Sequence, residues 1–557
     1  MSGLKRHRRR LHGGKRPRCQ ARGGVRALPR RVRCLEGWTR GERSSMKICF
    51  LLLALAVGLP GADGDLKKKA AEYLEAAAGM VGAGSAEFQP GALLQLGIVE
   101  GSRDKARAKE LIEQALAVSA VLPTSSSARV REEFQAMAVR ELVKVDLEAA
   151  IEALGLLTPL PVDEDDPRAG AVEAIVGRLV AGQELDRAGE VIGRFGMAGA
   201  FPYEALPGLL KALPEDDPRR DLWFAQTLGA FTQSPNLAAM ERLVRQHRPG
   251  RKGGMGAQTF ETAVRAMVRA ALDGRGLGRT SMTMTTAKGT VHLADPQEVA
   301  LFSLADLALA VDPDLLERMK GERAELRAAL EQFPRGRETM DVNGEAVTTL
   351  GTIQPGEDVA AARARMQRLA VETMKFQEVM TYLRRDPDRA IAAARQIPTA
   401  RLAVRSYGTI AMNQDAKESG AMLSVVRKCA AALGELKDEG ARASGWATLA
   451  NAAQRAKDEA LAREYLLKGL EDARRLYETD TDAREPNVAP RPLWPSAVVF
   501  RAIFYRAAHL LGGEAETFLE RIPDAEIATL ARIEMAAAWL GVPATPGTPR
   551  FMRPAKQ

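Results

Sequence analysis

The sequence predicts an all-α chain, an α-helical repeat solenoid of stacked helix pairs with a small β-hairpin inserted near residues 280–293. Three observations carry that expectation. The 557 residues are rich in Ala, Leu, Glu, Arg and Lys, which favour helix, and only 5% are aromatic. Apolar and small residues recur at helical spacing in two blocks, Trp446-x2-Leu449-Ala450-x2-Ala453 and Ala462-x3-Leu466-x2-Gly469. The polar run 454–459 parts the blocks, so each describes a short amphipathic helix unable to bury its apolar face alone. Asp-Pro, finally, precedes apolar helical runs at Asp166-Pro167, Asp217-Pro218, Asp295-Pro296, Asp312-Pro313 and Asp386-Pro387. Asp accepts from the free N–H groups of a first turn, and Pro suits the first helical position.

The order and spacing of residues 446–469 resemble the tetratricopeptide (TPR) repeat, with its leading Trp and a small residue that lets paired helices close. Ala453 stands where that repeat has an aromatic, and no Pro closes the unit. The resemblance implies TPR-like helix pairs that present a concave groove to a protein or peptide partner.

The elements follow in order. Residues 1–45 carry 15 Lys/Arg against Glu36 and Glu42, a local excess of +13, so the net +9 leaves −4 for residues 46–557. A mildly acidic body gives a nucleic-acid partner no footing. Met46-Lys47, a 12-residue apolar run from Ile48 to Leu59 and the small residues to Gly64 have the form of a Sec signal peptide over 46–64. Its core falls short of the roughly 20 apolar residues a membrane span needs. Cleavage is placed after Gly64, with Ala62 as the other option. Residues 1–45 are then expected to be a mis-assigned, disordered extension upstream of Met46; a transit peptide and a twin-arginine signal at Arg30-Arg31 are the rivals. Export implies a periplasmic or extracellular chain with no stable membrane span. Cys19, Cys34 and Cys49 would be absent from it, leaving Cys429 alone, read as a small buried apolar residue.

Residues 65–273 are expected to form an N-terminal helical repeat region. In the non-repeat middle, 274–355, Thr280–Thr286 and Thr290–Leu293 flank Ala287-Lys288-Gly289 and predict a hairpin. A second strand-like piece runs from Glu345 to Leu350. Residues 356–543 return to TPR-like pairs, with Ile397-Pro398 and Ile522-Pro523 each followed by apolar residues at identical offsets. Residues 478–495 read as a linker, and 544–557 as a disordered tail.

No catalytic, cofactor-binding or metal-binding residues emerge. His247, His292 and His509 are isolated, without metal-ligand spacing. The acidic runs 163–166 and 215–217 suit helix N-termini better than a metal. Asp341-Val342-Asn343-Gly344 is a turn, its Gly too early for a calcium loop. The Gly-rich runs 249–256 and 274–278 lack the endings of phosphate-binding loops. The basic stretch 242–252 is a solvated loop, with an anionic-polymer site as its alternative. The expected function is binding or scaffolding of proteins in the cell envelope. The alternative is an enzyme with its site in 274–355, near His292, Lys288 and Asp341.

Overall fold

The computed structural model describes residues 64–543, except 87, 121–127, 159–165, 197–198, 278–279, 287–288, 338–346, 353–358, 483–494 and 523. The expectations for the upstream extension, signal peptide and tail lie outside the described residues, as do Lys288, Asp341 and most of the linker. The described chain holds 22 α-helices, one 3-10 helix and a three-stranded sheet, an all-α protein with a small β insertion.

The first eleven helices are α1 (Gly64–Val81), α2 (Gln89–Glu100), α3 (Lys105–Ser119), α4 (Ala128–Val145), α5 (Leu147–Leu156), α6 (Arg168–Ala181), α7 (Leu185–Phe195), α8 (Leu206–Ala212), α9 (Arg219–Gln233), α10 (Leu237–Gln246) and α11 (Ala257–Leu272). The middle comprises β1 (Thr280–Thr286), β2 (Gly289–Leu293), α12 (Pro296–Val311), α13 (Pro313–Glu322), α14 (Ala324–Gln332) and β3 (Val347–Thr352). Then come α15 (Val359–Tyr382), α16 (Pro387–Arg395), α17 (Ala400–Met412), α18 (Ser419–Gly434), α19 (Glu439–Arg455), α20 (Glu459–Asp482), α21 (Pro495–Leu511), the 3-10 helix (Gly512–Arg521) and α22 (Ala525–Trp539).

The Asp-Pro devices act as helix starts. Asp166 accepts from the Arg168 N–H at 2.9 Å, Asp217 from Arg219 at 2.9 Å, and Asp295 from Gln297 at 2.7 Å. Asp312 accepts from Asp314 at 3.0 Å and Asp386 from Arg389 at 3.0 Å. Each carboxylate satisfies a donor that the first turn cannot pair internally. Arg168 and Arg219 also turn their guanidinium groups back onto the same carboxylates.

Both halves reuse the same parts. The turns α6–α7 and α19–α20 each pass through a left-handed residue, Gln183 (φ 62°) and Lys457 (φ 63°). In each the next N–H reaches back to the end of the first helix, Glu184 to Leu179 O at 2.9 Å and Asp458 to Ala453 O at 3.0 Å. That is the Schellman closure, which satisfies carbonyls the helix end leaves open. Alternate helices are tied sideways by ion pairs: Lys109 with Asp146, Arg187 with Glu148, and Arg219 with Asp186. Lys428 with Asp388 and Arg395 with Glu435 do the same later. Their separations, 37, 39 and 33 residues and then 40 and 40, are those of a recurring helix pair.

The sheet exceeds the predicted hairpin. β1 pairs antiparallel with β2, Met282 opposite Leu293, and on its other edge with β3, Met282 opposite Leu350. The second strand-like piece, described from Val347 on, therefore joins the first in the order β2-β1-β3; its residues 345 and 346 lie outside the described residues. Met282 and Leu293 are fully buried, and β1 rests on α12. The helix before the linker also runs on to Asp482, past the predicted boundary at 478.

One feature has no sequence signal. The first described helix packs on the last: α1 and α2 both contact α22. Tyr73 and Trp539 meet edge to face with ring centroids 5.1 Å apart, and Lys69 pairs with Glu516 at 2.8 Å. Buried Arg501 on α21 bonds Glu534 on α22 and reaches Gln95 on α2 at 2.9 Å. In packing order the helices run α15 to α22, cross to α1, and continue to α14. The contact of α1 and α2 with α22 therefore lies inside the packing order, not at its ends.

Candidate functional site

The site is built around Trp446, on the α19–α20 pair. Asp438 caps α19 through the Ala441 N–H at 2.8 Å, and Asp458 caps α20 through Leu461 at 2.9 Å. The two helices close tightly because Gly469 faces the Trp446 backbone. A Cβ there would lie 3.3 Å from both the Ala443 carbonyl and the Trp446 Cβ. Gly445 does the same toward α18, where an added Cβ would lie 2.6 Å from Leu433. Close helix approach at these two glycines brings α18, α19 and α20 together.

Trp446 is buried, and its Nε1–H donates to Asp472 at 2.9 Å. Asp472, itself buried, also accepts from Arg442 Nε at 3.0 Å and Nη2 at 2.5 Å. A charge-assisted network of this kind fixes the indole plane. Against that plane lies Tyr465, ring centroids 5.4 Å apart and tilted by 38°. Lys468 Nζ stands 5.3 Å from the Trp446 ring and 5.6 Å from the Tyr465 ring, within cation–π range.

Above the rings, α18 and α20 leave an open cavity of about 480 Å³, lined by Trp446, Tyr465, Lys468, Glu464 and Leu461 and, from α18, by Arg427, Ala430, Ala431 and Gly434. Tyr465 is only 2% exposed. Burial, and then the Glu464 charge, push its pKa up from 10.0 to about 12, so it stays a neutral donor. Lys468 pairs with Glu464 at 2.7 Å. Arg427 stands 3.7 Å from Asp458, beyond hydrogen-bond reach.

The other sequence candidates resolve differently. Cys429 is fully buried, and burial raises its thiol pKa from 9.0 to about 12, as a small core residue requires. The basic stretch 242–252 is answered locally: Arg242 pairs with Glu204, Arg245 with Glu241 and Asp306, Arg248 with Asp306, and Lys252 with Glu215. Four carboxylates thus meet its five cations. The Gly-rich loop beside it is pinned rather than loose, because Arg220 and the Nδ1–H of buried His247 both donate to the Gly253 carbonyl, at 2.7 and 3.1 Å. His509 lies on α21, and His292 sits on β2 opposite Thr283, the one member of its proposed trio among the described residues. Asp166 and Asp217 serve as caps with arginine partners.

Sequence reasoning marked Trp446 only as core and missed Tyr465, Lys468, Arg427 and Asp472. Tyr465 and Lys468 fall inside the repeat-like stretch, at helical spacing from Leu461. Arg427 comes from the preceding unit, and only the fold brings it near. Among the described residues no helix is long and apolar enough to cross a membrane. No protein-family model, no curated protein and no solved structure matches this chain.

Proposed function

We propose that this chain is an exported helical-repeat protein that binds or scaffolds other proteins of the cell envelope, with the α18–α20 groove as its docking site. The observation that carries the reading is the aromatic pair Trp446–Tyr465 at the base of an open cavity between neighbouring helix pairs. An apolar floor inside a charged rim is the layout of a protein interface. The finer architectural reading, degenerate TPR-like units arranged as a solenoid, is supported by the recurring turn at Gln183 and Lys457 and by ion pairs spaced at helix-pair intervals. Export rests on the signal-like pattern over 46–64.

The test compares tagged wild type with Ala431→Trp in a native pull-down from the producing cell, with quantitative mass spectrometry of the eluates. Ala431 is exposed in the groove wall, so the new ring fills the cavity without entering the core. A stoichiometric envelope protein retained by wild type and lost from the variant is expected. Equal retention by both would remove the groove from the interaction. The same spectra report the N-terminus, expected at Asp65; a peptide starting before Met46 would overturn the export reading.

A further inference from the structure

We propose that α17, α19 and α21 form a second docking surface, for an acidic protein segment in extended conformation with a carboxylate at every third residue. The three helices pack side by side. A Cβ added at Gly408 on α17 would stand 2.7 Å from Thr448 Cγ2 on α19, and Arg455 at the end of α19 donates from Nη1 to the Met412 carbonyl of α17 at 2.6 Å. By helical period Ser444, Thr448 and Arg455 lie on the side of α19 away from Trp446, so this surface is separate from the groove. Glu439, at the start of α19, is the only carboxylate in the three helices, and none of them carries a lysine. The acids sit behind them: α20 alone holds Glu459, Glu464, Glu471 and Glu478.

The arginines of these helices divide by position. Arg442 and Arg501, turned inward, are answered by Asp472 at 2.5 Å and Glu534 at 2.6 Å. Arg401, Arg405, Arg455 and Arg506 have no carboxylate partner among the described residues. Arg401 and Arg405 are exposed, the second lying 5.8 Å from the Phe376 ring. Arg506 is half-buried, yet no acceptor meets it among the described residues; burial holds its guanidinium below the ordinary arginine range, and only Tyr505 opposes that. A desolvated cation without a counter-ion is costly, and an arriving carboxylate removes the cost. His509, one turn on, is pushed down by burial and then by Arg506, which sets the two side by side. Helices in contact lie about 8–10 Å apart. A polyproline-type segment turns once in three residues and rises about 9 Å in doing so, so its side chains at i, i+3 and i+6 cross the row in step with Arg405, Arg455 and Arg506. A nucleic-acid strand carries a phosphate about every 3.4 Å, roughly three charges for each arginine. Residues 1–45 and 544–557 of this chain are themselves basic, so neither end is the occupant.

The test uses the full chain and dye-labelled peptides of four Glu-Pro-Pro, Gln-Pro-Pro or Lys-Pro-Pro repeats, followed by fluorescence anisotropy. A further peptide gathers the same glutamates at one end. The spaced Glu peptide is expected to bind at least about tenfold more tightly than the Gln and the gathered-Glu peptides, and the Lys peptide not at all. The double variant Arg401→Glu/Arg405→Glu should lose at least about tenfold in affinity; both side chains are exposed, and unchanged melting confirms that it folds. Arg506→Met should weaken binding about fivefold while its melting temperature holds or rises, because no ion pair is lost. Ala431→Trp, in the groove, should leave peptide binding unchanged. Equal affinity for the Glu and Gln peptides, or for spaced and gathered glutamates, would overturn the inference. So would binding that survives the double variant, or binding lost in Ala431→Trp. Polyphosphate of matched charge that displaces the spaced peptide more strongly than unlabelled peptide does would give the face to an anionic polymer and overturn it as well. None of these results bears on the groove, whose own test is the release of the native partner by Ala431→Trp.

Discussion

Trp446 owes its position to three neighbours with different tasks: Gly469 admits it, Asp472 orients it, and Tyr465 backs it. Truncating it to Ala empties a buried site, so a loss of about 3–5 kcal/mol is expected in denaturant unfolding. Unchanged stability would contradict its place in the core. Asp472→Ala should cost a similar amount, about 3–5 kcal/mol, because it strands the buried part of Arg442 together with the indole N–H. Titration gives a second check. Burial pushes Cys429, Tyr407 and Tyr465 up to about 12, so their neutral forms are favoured in the fold. Their contribution is full below the ordinary values of 9 to 10 and lost as pH rises through about 12. His247 and His509 are pushed down by burial, so their contribution is full above 6.5 and lost as pH falls through the lowered values. The melting temperature should therefore hold a plateau between about pH 7 and 9 and fall on both sides. A maximum below pH 6 would contradict the burial of the two histidines. The residue-level reading from sequence reached Trp446 and Cys429 as core, because apolar spacing at i, i+3 and i+4 reports a buried face directly. It could not reach Asp472, whose partners lie 26 and 30 residues away.

At the scale of elements, local chemistry was well preserved in the sequence. Asp-Pro names a helix start through groups adjacent in the chain, and all five are caps. Removing one such cap where little else depends on it, Asp386→Ala, should cost about 1 kcal/mol. Asp166→Ala should cost more, about 3 kcal/mol or above, since Arg168 is then left buried without its carboxylate. Chemical denaturation of the two variants separates these effects; equal losses would show that the Arg168 pair adds nothing. The left-handed turns make the opposite case, a defect carried by the fold. Gln183 and Lys457 hold φ near +60°, which a side chain disfavours, so Gln183→Gly should be neutral or raise stability by up to about 1 kcal/mol. A clear loss would mean that the Gln183 side chain has a role of its own. Neither residue announces a left-handed turn, since only Gly or Asn carries that signal, and the repeat they share was invisible for that reason. The third strand was half legible: its β-branched run was seen, but its pairing with β1 spans more than 60 residues and is set by the sheet, not by a local turn.

For the whole molecule, the feature that no local rule reports is the meeting of α1 and α2 with α22. Gln95, Arg501 and Glu534 form a buried polar link across a separation of 406 residues. Glu534→Ala leaves the buried Arg501 without its partner, so a loss of about 3–5 kcal/mol is expected. In hydrogen exchange α1 should lose protection together with α22. Protection lost in α22 alone would show that the two ends are independent. The contacts of α1 and α2 with α22, and of α15 with β3, lie on either side of the helices that form the cavity. Composition and periodicity revealed the helical class because they average over many residues. The cavity stayed hidden because its lining comes from three helices meeting at one place. The most direct test is hydrogen–deuterium exchange on the full chain with and without the partner recovered in the pull-down. Protection concentrated in 427–434 of α18 and 461–468 of α20, and lost in Ala431→Trp, is the expected result. Protection confined instead to 274–355, or to the basic stretch 242–252, whose residues 242–246 end α10, with α18 and α20 unchanged, would contradict the assignment of the groove.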